Sequence, residues 1–454
     1  MFDHYVNDGP QHPVKGGKAW QLLVQVCRRW RSIIFASPCH LNLELVFRER
    51  RRARDMLDFW PALPVVIWCW GIGNVDNIIG VLERRNRVRQ ISIQKIQSSD
   101  WEIVLAAMQQ PFPELTYLSL HRDFRGDTVV VPDSFLGGSA PSLRNLSLSG
   151  IPFPGLPKLL LSATHLVDLC LDYVPHSGFI SPEAMVTALS SLISLEYLTL
   201  KFQSPRSFPD QASRRPPPST RCVLPVLTRF WFKGVTEYLE DLVACIDVPR
   251  LDKLETTFFN DIVFDAPQFM QFISRTPTSR ALEKAHITLW HDDANLDVSS
   301  QTSGDGEINV KIPCRGLEWQ VSSLEQVCTS CLPSLPMLED LYIHEYPHSP
   351  LDWKDDTENG LWLQLLHPFT AAKNFYVSEQ YVLCIGSALQ ELVEGRTTEV
   401  LPALQNIFLE GLESSAPVQE GIGKFVAARQ VAGRPIAVFS WANSDGGMNY
   451  YQSD

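Results

Sequence analysis

Along most of the chain, apolar residues fall into one recurring phrase: a leucine, two variable residues, a second leucine, one variable residue and a third apolar residue. Copies begin at Leu115 (with Leu118 and Leu120), Leu143 (Leu146, Leu148), Leu166 (Leu169, Leu171), Leu195 (Leu198, Leu200), Leu338 (Leu341, Ile343) and Leu404 (Ile407, Leu409). Looser copies begin at Val88, Leu227, Leu251 and Leu282. From 88 to 282 the first positions are separated by 27, 28, 23, 29, 32, 24 and 31 residues. In a short strand the fourth and sixth positions share a face and pack inward with the first, while the third and fifth point outward. One such unit cannot bury its apolar edge alone, so it is stable only when stacked on neighbours.

A period in this range is a leucine-rich-repeat signature. The expected fold is therefore α/β, a leucine-rich-repeat solenoid with parallel strands on the concave wall and helices on the convex wall. Helix starts are legible in the intervals. Ser99 with Glu102, and Ser322 with Glu325, have capping-box spacing; Ser181-Pro182 supplies an N-cap followed by proline at the first helical position; Ser378 caps a helix ending near Gly395. Asn77 to Arg85 reads as a helix, and Val65-Val66-Ile67-Trp68 as a buried strand. Three stretches interrupt the rhythm: the proline-rich 203–221, the polar 292–307 leading into an extra strand Ile308–Ile312, and the acidic 348–360.

Ahead of the repeats, Trp20, Leu23, Val26, Cys27, Trp30, Ile33 and Ile34 recur at helical spacing, with Arg28, Arg29 and Arg31 mostly on the other side; Ser37-Pro38 ends the pattern, and Leu41, Leu43 and Leu45 alternate as in a strand. The net charge of −12 argues against nucleic acid as the main partner. It is unevenly spread: residues 15–54 hold ten basic side chains against Glu44 and Glu49, a local +8, which leaves −20 for the remainder. No run of 18 apolar residues occurs and no apolar leader opens the chain, so the expectation is a protein of cytoplasm or nucleus without membrane contact. The ten cysteines are scattered apart from Cys328-Thr329-Ser330-Cys331, and are expected to be reduced.

Val26-Cys27-Arg28-Arg29-Trp30-Arg31, followed by Phe35-Ala36-Ser37-Pro38 and Leu41-Asn42-Leu43, resembles the second half of an F-box, in particular that of the fungal F-box/leucine-rich-repeat family. The stretches 299–304 and 322–328 also look like segments of those proteins. The usual opening Leu-Pro-x-Glu segment is not seen: the chain starts Met1-Phe2-Asp3-His4-Tyr5, which implies either a lost upstream exon or a degenerate box. The resemblance implies a disordered N-terminus over 1–17, a partial F-box-like helical segment over 18–45, the repeats over 46–440 and a flexible tail over 441–454. It implies a substrate-recognition subunit of an SCF-type (Skp–cullin–F-box) ubiquitin ligase, with Leu23, Val26, Cys27, Arg29 and Trp30 toward a Skp-type adaptor and its cullin complex. The alternative is a non-ligase leucine-rich-repeat scaffold with a degenerate box.

Catalytic strings fail on inspection. His344-Glu345-Tyr346-Pro347-His348 matches H-E-x-x-H, but Pro347 disfavours the continuous helix that zinc ligation at that spacing needs. Asn145-Leu146-Ser147 is formally a glycosylation sequon, yet Leu146 is a core position of a repeat. Neither a glycine-rich phosphate loop nor a nucleophile elbow is present, so neither catalysis nor a cofactor or metal is expected. What remains is recognition of an unknown protein target by the outward strand positions. Among these, the large aromatic side chains Tyr117, Tyr197, Trp231 and Tyr342 are the expected anchors.

Overall fold

In the computed structural model, the described residues are 26–36, 45–47, 57–58, 62–71, 75–122, 129–205, 221–259, 266–276, 282–300, 306–330, 332, 335–345, 358–393, 395–410 and 416–441. The chain divides into two compact units, 1–213 and 214–454, where the repeat pattern alone suggests one array.

Unit 1 begins with helix α1 (Arg28–Ala36) and strand β1 (Leu45–Phe47). It continues through β2 (Val65–Trp70), α2 (Val75–Leu82), β3 (Val88–Gln94), α3 (Ser98–Ala107), β4 (Tyr117–His121) and β5 (Asn145–Ser149). The short α4 (Leu156–Leu160), β6 (Asp168–Val174), α5 (Pro182–Leu189) and β7 (Tyr197–Phe202) complete it. The seven strands lie in chain order and all pair in parallel. Each copy of the phrase turns its three apolar residues inward: Leu115, Leu118 and Leu120, and likewise Leu195, Leu198 and Leu200, are at most 2% exposed. Crossover helices close over that face with Trp101, Leu105, Met185 and Leu189 buried.

Unit 2 holds β8 (Cys222–Val223), β9 (Arg229–Gly234), α6 (Thr236–Ala244), β10 (Ile246–Asp247), β11 (Lys253–Phe258) and α7 (Pro267–Arg275). It goes on through β12 (Lys284–Leu289), β13 (Ala294–Ser299), β14 (Glu307–Ile312), α8 (Leu317–Ser330), β15 (Asp340–Glu345), α9 (Asn359–Leu366) and β16 (Asn374–Val377). The last elements are α10 (Glu379–Gln390), β17 (Asn406–Glu410), α11 (Ala416–Val431) and β18 (Ala437–Trp441). Its main strands run in the order β9-β11-β14-β13-β12-β15-β16-β17-β18, and β8 and β10 form a separate parallel pair. Every main pairing is parallel except the two made by β13, which runs antiparallel to β12 and β14.

Several expectations are corrected. The stretch 292–307, read as a loop, contains β13, whose Ala294, Leu296 and Val298 are fully buried; a polar count misses a strand whose open face carries Asn295, Asp297 and Ser299. α3 starts at Ser98 with Gln97 at its N-cap, and α8 starts at Leu317, so neither Ser99–Glu102 nor Ser322–Glu325 caps a helix. In α8 the buried Leu317, Gln320 and Val321 carry the helix back beyond the polar start signal. By contrast Ser181 Oγ accepts a hydrogen bond from the Ala184 amide at 3.3 Å, with Pro182 in the first turn, as its spacing predicts. Ser378 sits at the N-cap of α10 without a side-chain capping bond. The tail reading begins one residue early, since Trp441 closes β18. The expectations for 1–25, most of 203–221 and most of 348–360 lie outside the described residues.

Candidate functional site

Because parallel pairing aligns equivalent repeat positions, the outward side chains form rows across each sheet. In unit 1 the pairing places Gln90, Tyr117, Asn145, Asp168 and Tyr197 side by side, and next to them Ser92, Ser119, Ser147, Cys170 and Thr199. The second row is short side chains only, with Ser92, Ser119 and Thr199 less than 9% exposed, so it forms a low polar floor. The first row stands above it. Burial raises the Tyr117 and Asp168 pKa values, opposed by hydrogen bonds with Ser119 and Asn145 respectively. Burial likewise raises the Cys170 thiol, which makes it a poor nucleophile. Tyr197 is 36% exposed and Tyr117 half-buried.

The row of unit 2 that corresponds to the Ser92–Thr199 floor reads Trp231, Glu255, Asn309, Asp297, His286, Tyr342, Tyr376, Phe408 and Phe439. Its second half is a column of stacked rings. Centroids are 4.2 Å apart for His286–Tyr342, 4.1 Å for Tyr342–Tyr376, 4.3 Å for Tyr376–Phe408 and 5.1 Å for Phe408–Phe439, with planes within 6° to 19° of parallel. Strand spacing sets this geometry: in-register neighbours lie about 4.8 Å apart, close to ring-stacking distance. Beside it runs an amide ladder, Asn406 donating to Asn374 and Asn374 to Asp340, both at 2.7 Å. Stacked rings offer edges to solvent, while Phe439 at the outer strand is 45% exposed.

The middle of this row is electrostatically costly. Burial pushes Asp297 up to about 7, reinforced by the nearby Glu307 and only partly offset by the Asn309 hydrogen bond. Burial, helped by His344 and Lys284, pulls His286 down to about 3, and its Nδ1 has no hydrogen-bond partner among the described residues. His344, also lowered by burial, lies 3.1 Å from Thr288 Oγ1. It belongs to β15 together with Glu345, so a helical H-E-x-x-H arrangement is excluded at those two positions, while His348 lies outside the described residues.

The two proposed contact sets differ in placement. Tyr117 and Tyr197 share one row of unit 1, three strands apart; Trp231 and Tyr342 share one row of unit 2, five strands apart. Tyr376, Phe408 and Phe439 complete the unit 2 column but were not among the sequence-based anchors. Tyr376 follows Ala372-Lys373-Asn374-Phe375, a copy of the phrase without a leucine, and Phe439 belongs to a last strand with no copy. Just before α1, Val26 is 62% exposed and Cys27 is exposed; on α1, Arg29 is exposed, Trp30 half-buried and Ile33 49% exposed. Leu23 lies outside the described residues. Among the described residues no three His, Cys, Asp or Glu side chains are grouped to hold a metal, and no helix is long and apolar enough to cross a membrane.

No protein-family model matches the chain, and no curated protein sequence does. Among solved structures, the leucine-rich repeat-containing protein LegL7 from Legionella pneumophila aligns over 84% of this chain and 97% of its own, at 12% identity and a TM-score of 0.29. That score carries no argument, and the α/β repeat architecture rests on the chain's own strands and buried leucines.

Proposed function

We propose that this chain is a protein-recognition subunit: the open rows of its sheets bind a protein target, and α1 joins it to a Skp-type adaptor as part of an SCF-type ubiquitin ligase. The observation that supports target binding is the row structure itself. Aromatic side chains stand in register on rigid strands, where they can desolvate a large area at little rotamer cost. What supports adaptor binding is the resemblance of the Val26–Arg31 stretch to an F-box helix, together with the solvent-facing Val26 before α1 and Ile33 within it. Recognition, with no chemistry of its own, is the role assigned to the chain.

Co-expression with a Skp adaptor tests it: the pair should co-purify, and Trp30→Ala with Val26→Asp should abolish co-purification while leaving the thermal unfolding midpoint in place. Failure to co-purify would leave the second reading, a non-ligase scaffold.

A further inference from the structure

Unit 1 carries a cleft of about 580 Å³ along the starts of its strands, lined by residues other than those of the open rows. Its lining follows the repeat. The residues just before each inward first position are Arg87, Glu114, Ser142 and His165; those just after it are Arg89, Thr116 and Arg144. The same two positions of the preceding strand supply Ala62 and Pro64. Three arginines, one histidine and one acid thus converge on one opening in a chain whose net charge is −12. The equivalent positions of unit 2 show no such bias: after the first apolar residue they hold Thr228, Asp252, Glu283, Glu339, Lys373 and Gln405, and Lys373 is paired to Glu339 at 2.6 Å.

The frame of this cleft is rigid. The Thr116 amide donates to the Arg89 carbonyl at 2.8 Å, Arg144 to Thr116 at 2.8 Å and Val167 to Arg144 at 2.7 Å, so the backbone beneath the basic side chains belongs to the inter-strand ladder. Arg87 is held by its Nε–H donating to the Leu63 carbonyl at 3.0 Å. Burial and the neighbouring Arg84 both work against the charge on Arg87, a cost that a bound anion would offset.

We infer that this cleft binds an acidic segment of a partner protein, whose carboxylates seat on Arg89 and Arg144. These arginines stand two strands apart, about 10 Å at ordinary strand spacing. In a polyproline-II segment, side chains three residues apart share a face and are about 9 Å apart, so carboxylates at that interval match the two guanidiniums. Glu114 and the overall negative charge oppose a densely charged polyanion such as nucleic acid. The lining of the cleft includes no residue of α1 or of the open rows, so it goes beyond the function proposed above.

The test uses the full chain and a fluorescein-labelled peptide with glutamate at every third position, separated by proline and alanine, and its glutamine counterpart. Fluorescence anisotropy should show binding of the glutamate peptide that weakens with added salt, and none of the glutamine peptide. Arg89→Glu and Arg144→Glu should each weaken it at least about tenfold, corresponding to ~1.4 kcal/mol. Arg144→Lys should retain most of the affinity, and Lys158→Glu on the exposed surface of α4 should leave it unchanged. Circular dichroism melts confirm that each variant is folded. Absence of binding, equal binding of the glutamine peptide, indifference to both arginine changes, or tighter capture of an oligonucleotide or of inorganic phosphate by these arginines would each overturn the assignment. Neither adaptor nor target is present in the assay, so its failure is separate from failure of the ligase reading.

Discussion

At their buried positions, β5 of unit 1 and β17 of unit 2 are interchangeable: Leu146 and Leu148 in one, Ile407 and Leu409 in the other, all at most 5% exposed. At their open positions they share little. β5 offers Asn145 and Ser147, two small polar groups beside other hydroxyls, whereas β17 offers Asn406 and Phe408, the second a member of a four-strand ring stack that His286 begins on a fifth. Inward positions answer to packing and are held to one chemistry. Outward ones are held only to a spacing, and in-register pairing turns whatever they carry into a continuous row. The same backbone therefore presents a polar floor in one unit and an aromatic ridge in the other.

The largest expected effect lies where the units agree. Leu169→Ala in β6 and Ile343→Ala in β15, each fully buried, should both cost about 2–5 kcal/mol in chemical denaturation. A cost in one unit and none in the other would break the claim of a common buried code.

Next is a pH response carried by two buried groups of unit 2. Asp297 at about 7 is raised above its ordinary 3.8, so between those values the folded chain keeps a proton that the unfolded chain releases, and stability falls as pH rises. His286 at about 3 is lowered from 6.5, so between those values the unfolded chain takes up a proton that the folded chain refuses, and stability rises with pH. The two slopes oppose each other over their shared range. Asp297→Asn removes one: that variant should gain on the order of 2–4 kcal/mol over the parent at pH 8 and lose stability on acidification more steeply than the parent, since each tenfold in proton affinity is worth about 1.4 kcal/mol. Parallel pH profiles for the two proteins would show that Asp297 is not buried as a strained acid.

A smaller contrast separates the open faces directly. Tyr376→Ala deletes two ring stacks and should cost about 1–3 kcal/mol. Ser147→Ala, at a similar strand position in unit 1, should change stability by less than ~0.5 kcal/mol. Hydrogen exchange of β16 and β5 amides reads the two separately, and equal protection losses would dissolve the contrast. Least affected should be Val26→Asp, within ~0.5 kcal/mol, because that side chain faces solvent just before α1.

Much of the frame is legible in the leucines, because six clean copies of one phrase fix strand, face and order at once. The structure differs where another side chain replaces leucine or where polar residues occupy an open face. The strand Asn374–Val377 is built on Ala372, Phe375 and Val377, and β13 alternates Leu296 and Val298 with Asp297 and Ser299, which resembles a loop when only polarity is counted. The boundary between the two units has no sequence mark beyond the proline-rich stretch near it. Within the open faces, single aromatics could be picked out, but their stacking depends on pairing partners far apart in the chain, as with His286 and Tyr342. The basic cleft had a usable signal: arginine on both sides of Val88 and again after Leu143, at positions where other repeats place Glu196 or Gln405. It becomes visible only when residues flanking the first apolar position are compared from copy to copy.

The reversed strand β13 imposes a parity rule on how such a chain can lengthen. A repeat with its own crossover helix adds one strand and preserves polarity, whereas a hairpin extension must add strands in twos. Removing β13 alone would reverse the direction of every later repeat. Insertion of the pair β13 and β14 instead widens the sheet by two rungs without another helix, so this stretch is expected to be gained or lost as a single cassette.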